Sequence, residues 1–294
     1  MTISNPEKLP IAERDPIPDV IPSPLSSVEV TQFEFNRELG FCEFSHFTER
    51  TNPEKALAVQ QLQGESYFDE GYITEEGLDE YGRLKSYLDQ ARGDSVRYVT
   101  AEINGEVMGA VRQIQIPPGG GLQDLPSYNK SVGSMFPEYR QLLESEADSI
   151  VGRGVIEISS LSRKKNAPPS VLLEVIREIF QQEIRAKSDV VWLVTATDNS
   201  FNMLRSRYGK RAVVPIGDRI PVIEGDPVTK EVGLQPSIIE PGRVFEGMAL
   251  SVNEEENPVQ KKRLLKSLAF LADGLSANDG EIPMSVVELI EERK

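Results

Sequence analysis

The sequence predicts an α/β fold built on a mixed sheet, and three stretches carry that expectation. VRYVTAEI and EVMGAVRQI are β-rich runs separated at Asn104-Gly105, a dipeptide that tolerates the positive φ angles of a tight hairpin turn, so they form an antiparallel pair. Val190 to Thr197 reads VVWLVTAT, apolar enough to be covered on both faces, which points to an interior strand with a parallel neighbour. Between a strand at Val155 to Leu161 and that run lies an apolar helical face, Leu172, Val175, Ile176, Ile179, Phe180 and Ile184. Strand, helix and strand then make a right-handed crossover.

Taken in order, the first 27 residues contain Pro6, Pro10, Pro16, Pro18, Pro22 and Pro24, a composition that cannot close a core and is expected as a disordered tail. Alternation from Val28 to Phe47 (VEVTQFEF, then FCEFSHF) suggests one or two strands. Thr51-Asn52-Pro53-Glu54 starts a helix toward Tyr67, with Pro53 at its first position, and a second helix is expected from Thr74 to near Ala91. After the hairpin, Pro117-Pro118-Gly119-Gly120-Gly121 opens an insertion to Ile150, with a short helix around Pro137 to Ala147. It reads as a lid or substrate-shaping segment, or as an acidic solvated excursion.

Pro168 and Pro169 sit before the crossover helix, which ends near Lys187. A short helix, Asn199 to Tyr208, and strands at Ala212 to Ile216 and Ile220 to Ile223 follow the interior strand, then irregular chain to about Met248. Beyond Ser251 two amphipathic helices, Val259 to Ala272 and Met284 to Arg293, can pack on the core, on a second subunit as a homodimer, or on a partner. No solenoid repeat or useful coiled-coil heptad occurs.

Composition narrows the chemistry. At 294 residues the chain can bury a sizeable core. Its net charge of −15 repels nucleic acid and anionic lipid, making DNA, RNA and membrane surfaces poor partners. Residues 151 to 220 nevertheless hold 12 Lys/Arg and 7 Asp/Glu, a net of +5 that leaves −20 on the remainder. The single cysteine, Cys42, and single histidine, His46, exclude a disulfide framework, a zinc cluster and the usual serine or cysteine triads. Cys42 reads as a small buried hydrophobe and His46 as structural rather than catalytic. With neither a basic, apolar start nor a run of transmembrane length, the chain is expected in the cytoplasm.

The basic island coincides with the crossover. A strand that opens through Arg163-Lys164-Lys165 onto a helix N-terminus invites a phosphate-bearing ligand, because amide donors and the helix dipole add to the side-chain charge. The same cations can equally form a solvated loop.

In this order the elements resemble the GNAT superfamily of acyl-thioester-dependent N-acyltransferases, over about Val28 to Ile223. EVMGAVRQI and VIEISSL look most like its branch of acyl-homoserine-lactone synthases and long-chain N-acyl amino acid synthases. There a G-x-x-R strand (here Gly109 to Arg112), a mid-strand Glu followed by small polar residues, and a long excursion between the two strands recur. The resemblance implies a GNAT-like central mixed sheet of the α/β (α+β) class, mostly antiparallel, with a parallel strand pair at the cofactor slot and helices on both faces. Residues 28–250 would form the acyltransferase domain, with its insertion at 117–150, and residues 251–294 an acidic helical extension.

The implied activity is transfer of an acyl group from an acyl-CoA or acyl-carrier-protein thioester to an amine such as an amino acid. The thioester is then a co-substrate, with no permanently bound cofactor and no metal. In the family the fourth strand and its loop hold the pantetheine arm and pyrophosphate. Here that segment comprises Ser160, Leu161, Ser162, Arg163, Lys164, Lys165, Asn166 and Ala167, with Asn199 heading the next helix. Asn166 and Pro168 stand where the family's R/Q-x-x-G-x-G/A loop has glycines.

Glu157 is the candidate base for the attacking amine, or an ion-pair partner for Arg112; Arg112 and Ser159 are the candidate substrate contacts. The family's thiolate-protonating Tyr, four residues before a Gly, is replaced by Arg205, leaving Tyr208 as substitute acid or as packing. An acidic acyl carrier protein would have to dock on Arg163, Lys164 and Lys165, with Arg205, Arg207, Lys210 and Arg211 in support. The competing reading is a catalytically silent GNAT-like binding or regulatory domain. The two part on whether the strands at Glu157 and Val191 splay into a slot or stay closed and filled.

Overall fold

The computed structural model of the chain describes residues 42–88, 93–147, 154–220 and 233–291. The expected tail, the VEVTQFEF strand, the helix end at Ala91 and the strand end at Ile223 lie outside these residues. The chain forms two units: a larger one within Glu34–Phe201 and Pro215–Gly242, and a smaller one that includes Asn202–Val214 and Arg243–Lys294.

The larger unit is built on β1 (Glu43–Thr48), β2 (Val96–Ile103), β3 (Glu106–Gln115), β4 (Val155–Arg163), β5 (Val191–Thr197) and β7 (Leu234–Ile239); β6 is the two-residue strand Val214–Pro215. The sheet order is β1-β2-β3-β4-β5-β7-β6. Pairing is antiparallel from β1 to β4 and between β5 and β7, and parallel between β4 and β5. This is the mixed, mostly antiparallel sheet with one parallel strand pair that the sequence led us to expect. At the β2–β3 turn Asn104 and Gly105 take φ of 54° and 76°, as a type I′ hairpin requires.

Helices cover both faces. Helix α1 (Pro53–Asp69) starts at Asn52, whose side chain accepts from the Lys55 amide, with Pro53 in the first turn. Its Gln60 donates to the Tyr98 hydroxyl at 2.9 Å, placing α1 on the face of Tyr98 and Arg112, which are register partners. Helix α5 (Ser170–Arg185) covers the opposite face, where Phe180 meets Trp192 at a centroid distance of 4.6 Å. A Cβ on Gly109 would collide with Val171 of α5, so glycine at this point of β3 permits the helix to seat.

Four expectations are corrected. Instead of a helix from Thr74, the chain forms a 3₁₀ turn at Glu75–Gly77 and a single turn, α2 (Lys85–Leu88). The Asp79 carboxylate accepts from the Tyr81 and Arg83 amides and from the Arg83 side chain, locking a turn where the helix would have run. Ile220 makes only a single bridge, to Leu234, and the strand expected at Ala212 to Ile216 shrinks to β6. The supposedly irregular chain before Met248 contains β7 and the start of α7 (Val244–Glu254). Pro236 inside LQPSII and Gly247 inside the helix hid both signals.

The insertion is packed. It carries α3 (Pro126–Ser131), not anticipated, and α4 (Pro137–Glu146), with Leu122, Leu125, Met135 and Leu143 buried. The solvated-excursion alternative is thereby overturned.

In the smaller unit, α6 (Asp198–Tyr208), whose first turn belongs to the larger unit, ends at Gly209 with φ of 89°, where a Cβ would strike Ser251 of α7. Ser251 Oγ donates to the Gly247 carbonyl at 2.8 Å and accepts from the Arg211 amide at 3.0 Å. Helices α8 (Pro258–Ala272) and α9 (Met284–Glu291) bury Leu264, Leu268, Leu271, Val286, Val287 and Ile290.

Candidate active site

The parallel joint between β4 and β5 is short. Register partners are Val155–Val191, Ile156–Trp192 and Glu157–Leu193, whereas β4 runs on to Arg163 and β5 to Thr197. Past Glu157 the two strands are therefore unpaired with each other and part as a fork. β4 leaves the ladder through a bulge: Ser159 faces Arg112 and Ser162 faces Ala110, so β4 advances three residues where β3 advances two. Ser160 takes the left-handed φ of 54°, and its carbonyl accepts from the buried Gln63 of α1 at 3.2 Å. A non-glycine residue held in that region by a neighbouring helix is backbone strain supported by tertiary contacts.

Glu157 closes the fork. Its side chain is 3% exposed, and Oε2 accepts the Ser127 amide at 2.7 Å. Ser127 lies in the first turn of α3, whose N-cap residue Leu125 offers no side-chain acceptor; the sheet carboxylate supplies one from outside the helix. Burial pushes the Glu157 carboxyl above its usual range, and the Ser127 bonds and the charges of Arg112 and Lys130 offset only part of that. Arg112, 1% exposed, sits one register step away on the same face. Two hydroxyls complete the mouth. Ser159 Oγ and Thr195 Oγ1 are buried without a protein hydrogen-bond partner, each two residues beyond the last paired rung.

The basic loop leads from β4 to α5. Its cleft of about 420 Å³ is lined by Glu65, Lys164, Lys165 and Asn166. Arg163 turns inward, donating to the carbonyls of Lys164, Lys165 and Ala167, the last at 2.8 Å. Lys164 pairs with Glu106 and Lys165 with Asp69, the latter at 3.3 Å. The Lys164 amide continues the β3 ladder to Met108, and the Val171 and Leu172 amides return to Pro168 and Pro169. The loop is thus held by its own contacts: Arg163 bonds its carbonyls, and its two lysines face carboxylates.

The remaining candidates are spread more widely. Leu161 is half-buried and Ser162 buried on β4, Ala167 is buried in the loop, and Asn199 is exposed at the head of α6. Thr197 Oγ1 contacts Ser200 at the same helix start. Arg205 and Tyr208 belong to the smaller unit; Tyr208 is 2% exposed, and burial lowers the Arg205 pKa. His46 Nε2 meets Glu178 Oε1 at 3.0 Å. The half-buried Cys42 thiol is pushed up to about 11 by burial and by Glu174. Among the described residues no His/Cys/Asp/Glu group could hold a metal ion, and no helix is long and apolar enough to cross a membrane.

Sequence reasoning missed Thr195, Ser127, Gln63, Glu65, Asp69 and Glu106. Only Thr195 had a local signal, a hydroxyl within an otherwise apolar strand; the others reach the site through long-range packing.

No family model matches the chain, and no curated protein matches it. Among solved structures, it is similar to FeeM, an N-acyl amino acid synthase from uncultured soil microbes, at 11% identity over 73% of this chain and 99% of that one, with a TM-score of 0.49. It is also similar to the AHL synthase LasI (14% identity, 67% and 89% covered, TM-score 0.40). A third is BjaI, a CoA-dependent acyl-homoserine lactone synthase (11%, 85% and 99%, 0.45).

Proposed function

We propose that the chain is an N-acyltransferase that moves an acyl group from a thioester to an amine such as an amino acid. The observation that supports this most is the β4–β5 fork, with a buried carboxylate at its apex and two unbonded hydroxyls at its mouth. An extended arm laid between the parted strands would meet the backbone groups they no longer share. Glu157, Arg112 and Ser159 would face the reacting centre, and the segment Ser160 to Ala167 with Asn199 would line the arm's path.

In the reaction the amine lone pair attacks the thioester carbonyl carbon, forming C–N, and collapse of the intermediate breaks C–S. Glu157 takes the proton lost by nitrogen, and its raised pKa makes it a stronger base than an ordinary carboxylate. The departing thiolate recovers a proton from solvent, which balances the proton left on Glu157. Proximity and oriented backbone donors supply the remaining acceleration without a nucleophilic side chain.

The test is to incubate the protein with acyl-CoAs and acyl carrier proteins of varied chain length plus an amino-acid mixture, following thiol release and acylated product by mass. The second reading, a silent binding domain, is favoured by one observation: the two loop lysines are already paired with carboxylates. No turnover with any donor, together with no thermal stabilisation, would select it.

A further inference from the structure

The donor cleft has an unusual charge balance. Arg163, Lys164 and Lys165 are matched in number by Glu65, Asp69 and Glu106. Glu65 and Asp69 lie four residues apart, on one face of α1. Glu65 lines the cleft, Asp69 reaches Lys165, and Glu106 reaches Lys164 from the β2–β3 hairpin. Arg163 is bound to loop carbonyls, and the prolines at 168 and 169 remove two amide donors where the chain enters α5. Three densely charged phosphates would meet three carboxylates within about a Debye length, ~8 Å. A single phosphate would need to recruit only one lysine.

We propose that Glu65, Asp69 and Glu106 are specificity-determining residues of this cleft. Asp69 and Glu106 pair its two lysines and Glu65 adds a third negative charge to its lining, so that it accepts a pantetheine arm bearing one phosphate and discriminates against the additional phosphates of coenzyme A. The proposal rests on reading the fork as a thioester slot, and it concerns the phosphate content of the arm, whether that arm is free or attached to a carrier protein. The pairs suit such a filter because they are exposed: Lys165 is 83% and Glu106 59% exposed, so each pair is weak enough for a ligand to displace.

The experiment titrates 4′-phosphopantetheine, dephospho-coenzyme A and coenzyme A, which carry one, two and three phosphates, into the wild type and into an Asp69→Asn/Glu106→Gln double variant by calorimetry. In the wild type, affinity is expected to fall as phosphates are added. In the double variant coenzyme A should tighten by roughly tenfold and phosphopantetheine by much less, on the scale of surface charge pairs. Equal changes for all three ligands, or none, would overturn the filter while leaving the slot intact. Absence of binding by every ligand would overturn the slot and the filter with it. A holo acyl carrier protein run alongside distinguishes the sources: tighter binding than the free arm assigns the carrier, equal binding the small molecule.

Discussion

Glu157 is asked to cap a helix and to sit in an apolar sheet at the same time. Its raised pKa means that the folded state binds the proton more readily than the unfolded chain does. The linked stability is therefore fully present below the ordinary Glu value of 4.5 and is lost as pH rises through the folded value. Glu157→Gln keeps an acceptor for the Ser127 amide and removes the buried charge. The variant should melt higher than wild type at pH 7–8, the difference vanishing below about pH 4.5, while turnover falls by roughly 10²–10⁴-fold, the range of a lost general base. Wild-type turnover would remove Glu157 from the chemistry; a lower melting point at pH 8 would contradict the burial argument. Thr195 provides a cleaner contrast, because its hydroxyl has no protein partner to lose. Thr195→Val should leave the melting midpoint nearly unchanged and reduce kcat/KM by about 3–10-fold, the effect of one hydrogen bond to substrate.

Among the elements, those with local signals were legible before the structure. Asn104-Gly105 announces its hairpin through turn chemistry, and VVWLVTAT announces an interior strand through unbroken apolarity. The segment after Thr74 was misread because its acidic start resembles a helix N-terminus, while the Asp79 turn depends on where one carboxylate points. β7 was missed because Pro236 argues against a strand unless the ladder spares its missing amide. Gly109 was noticed as part of G-x-x-R, but its physical reason is the approach of α5. Gly109→Ala should cost about 1–3 kcal/mol in urea unfolding through overpacking against Val171. Combining it with Val171→Ala should recover a large part of that loss, and no recovery would show that the glycine serves another purpose.

For the whole molecule the balance of carboxyl groups sets the response to acid. Burial pushes Glu102 up, but hydrogen bonds from Lys55, Thr100 and Ser45 bring it below its usual value; Glu178 is lowered chiefly by His46. Stability from these two is present above the unfolded value of 4.5 and is lost as pH falls through their folded values. Glu157 and Glu183 act oppositely, losing stability as pH rises above 4.5. The net charge of −15 adds self-repulsion near neutrality. Thermal midpoints scanned from acid to mildly alkaline pH should peak on the acid side of neutrality, at about pH 5–6, and drop steeply below about pH 4. A flat profile, or a maximum above pH 7, would contradict this balance. By itself the sequence determined the element types of the crossover, the hairpin turn, the basic loop and the identity of the buried strand carboxylate, because periodicity and turn chemistry act over a few residues. Only the tertiary structure decided that β4 and β5 part after three rungs, that Glu157 caps a helix of the insertion, and that the loop's lysines face Asp69 and Glu106. Those outcomes depend on strand register and on contacts between residues far apart in the chain, which no local pattern encodes.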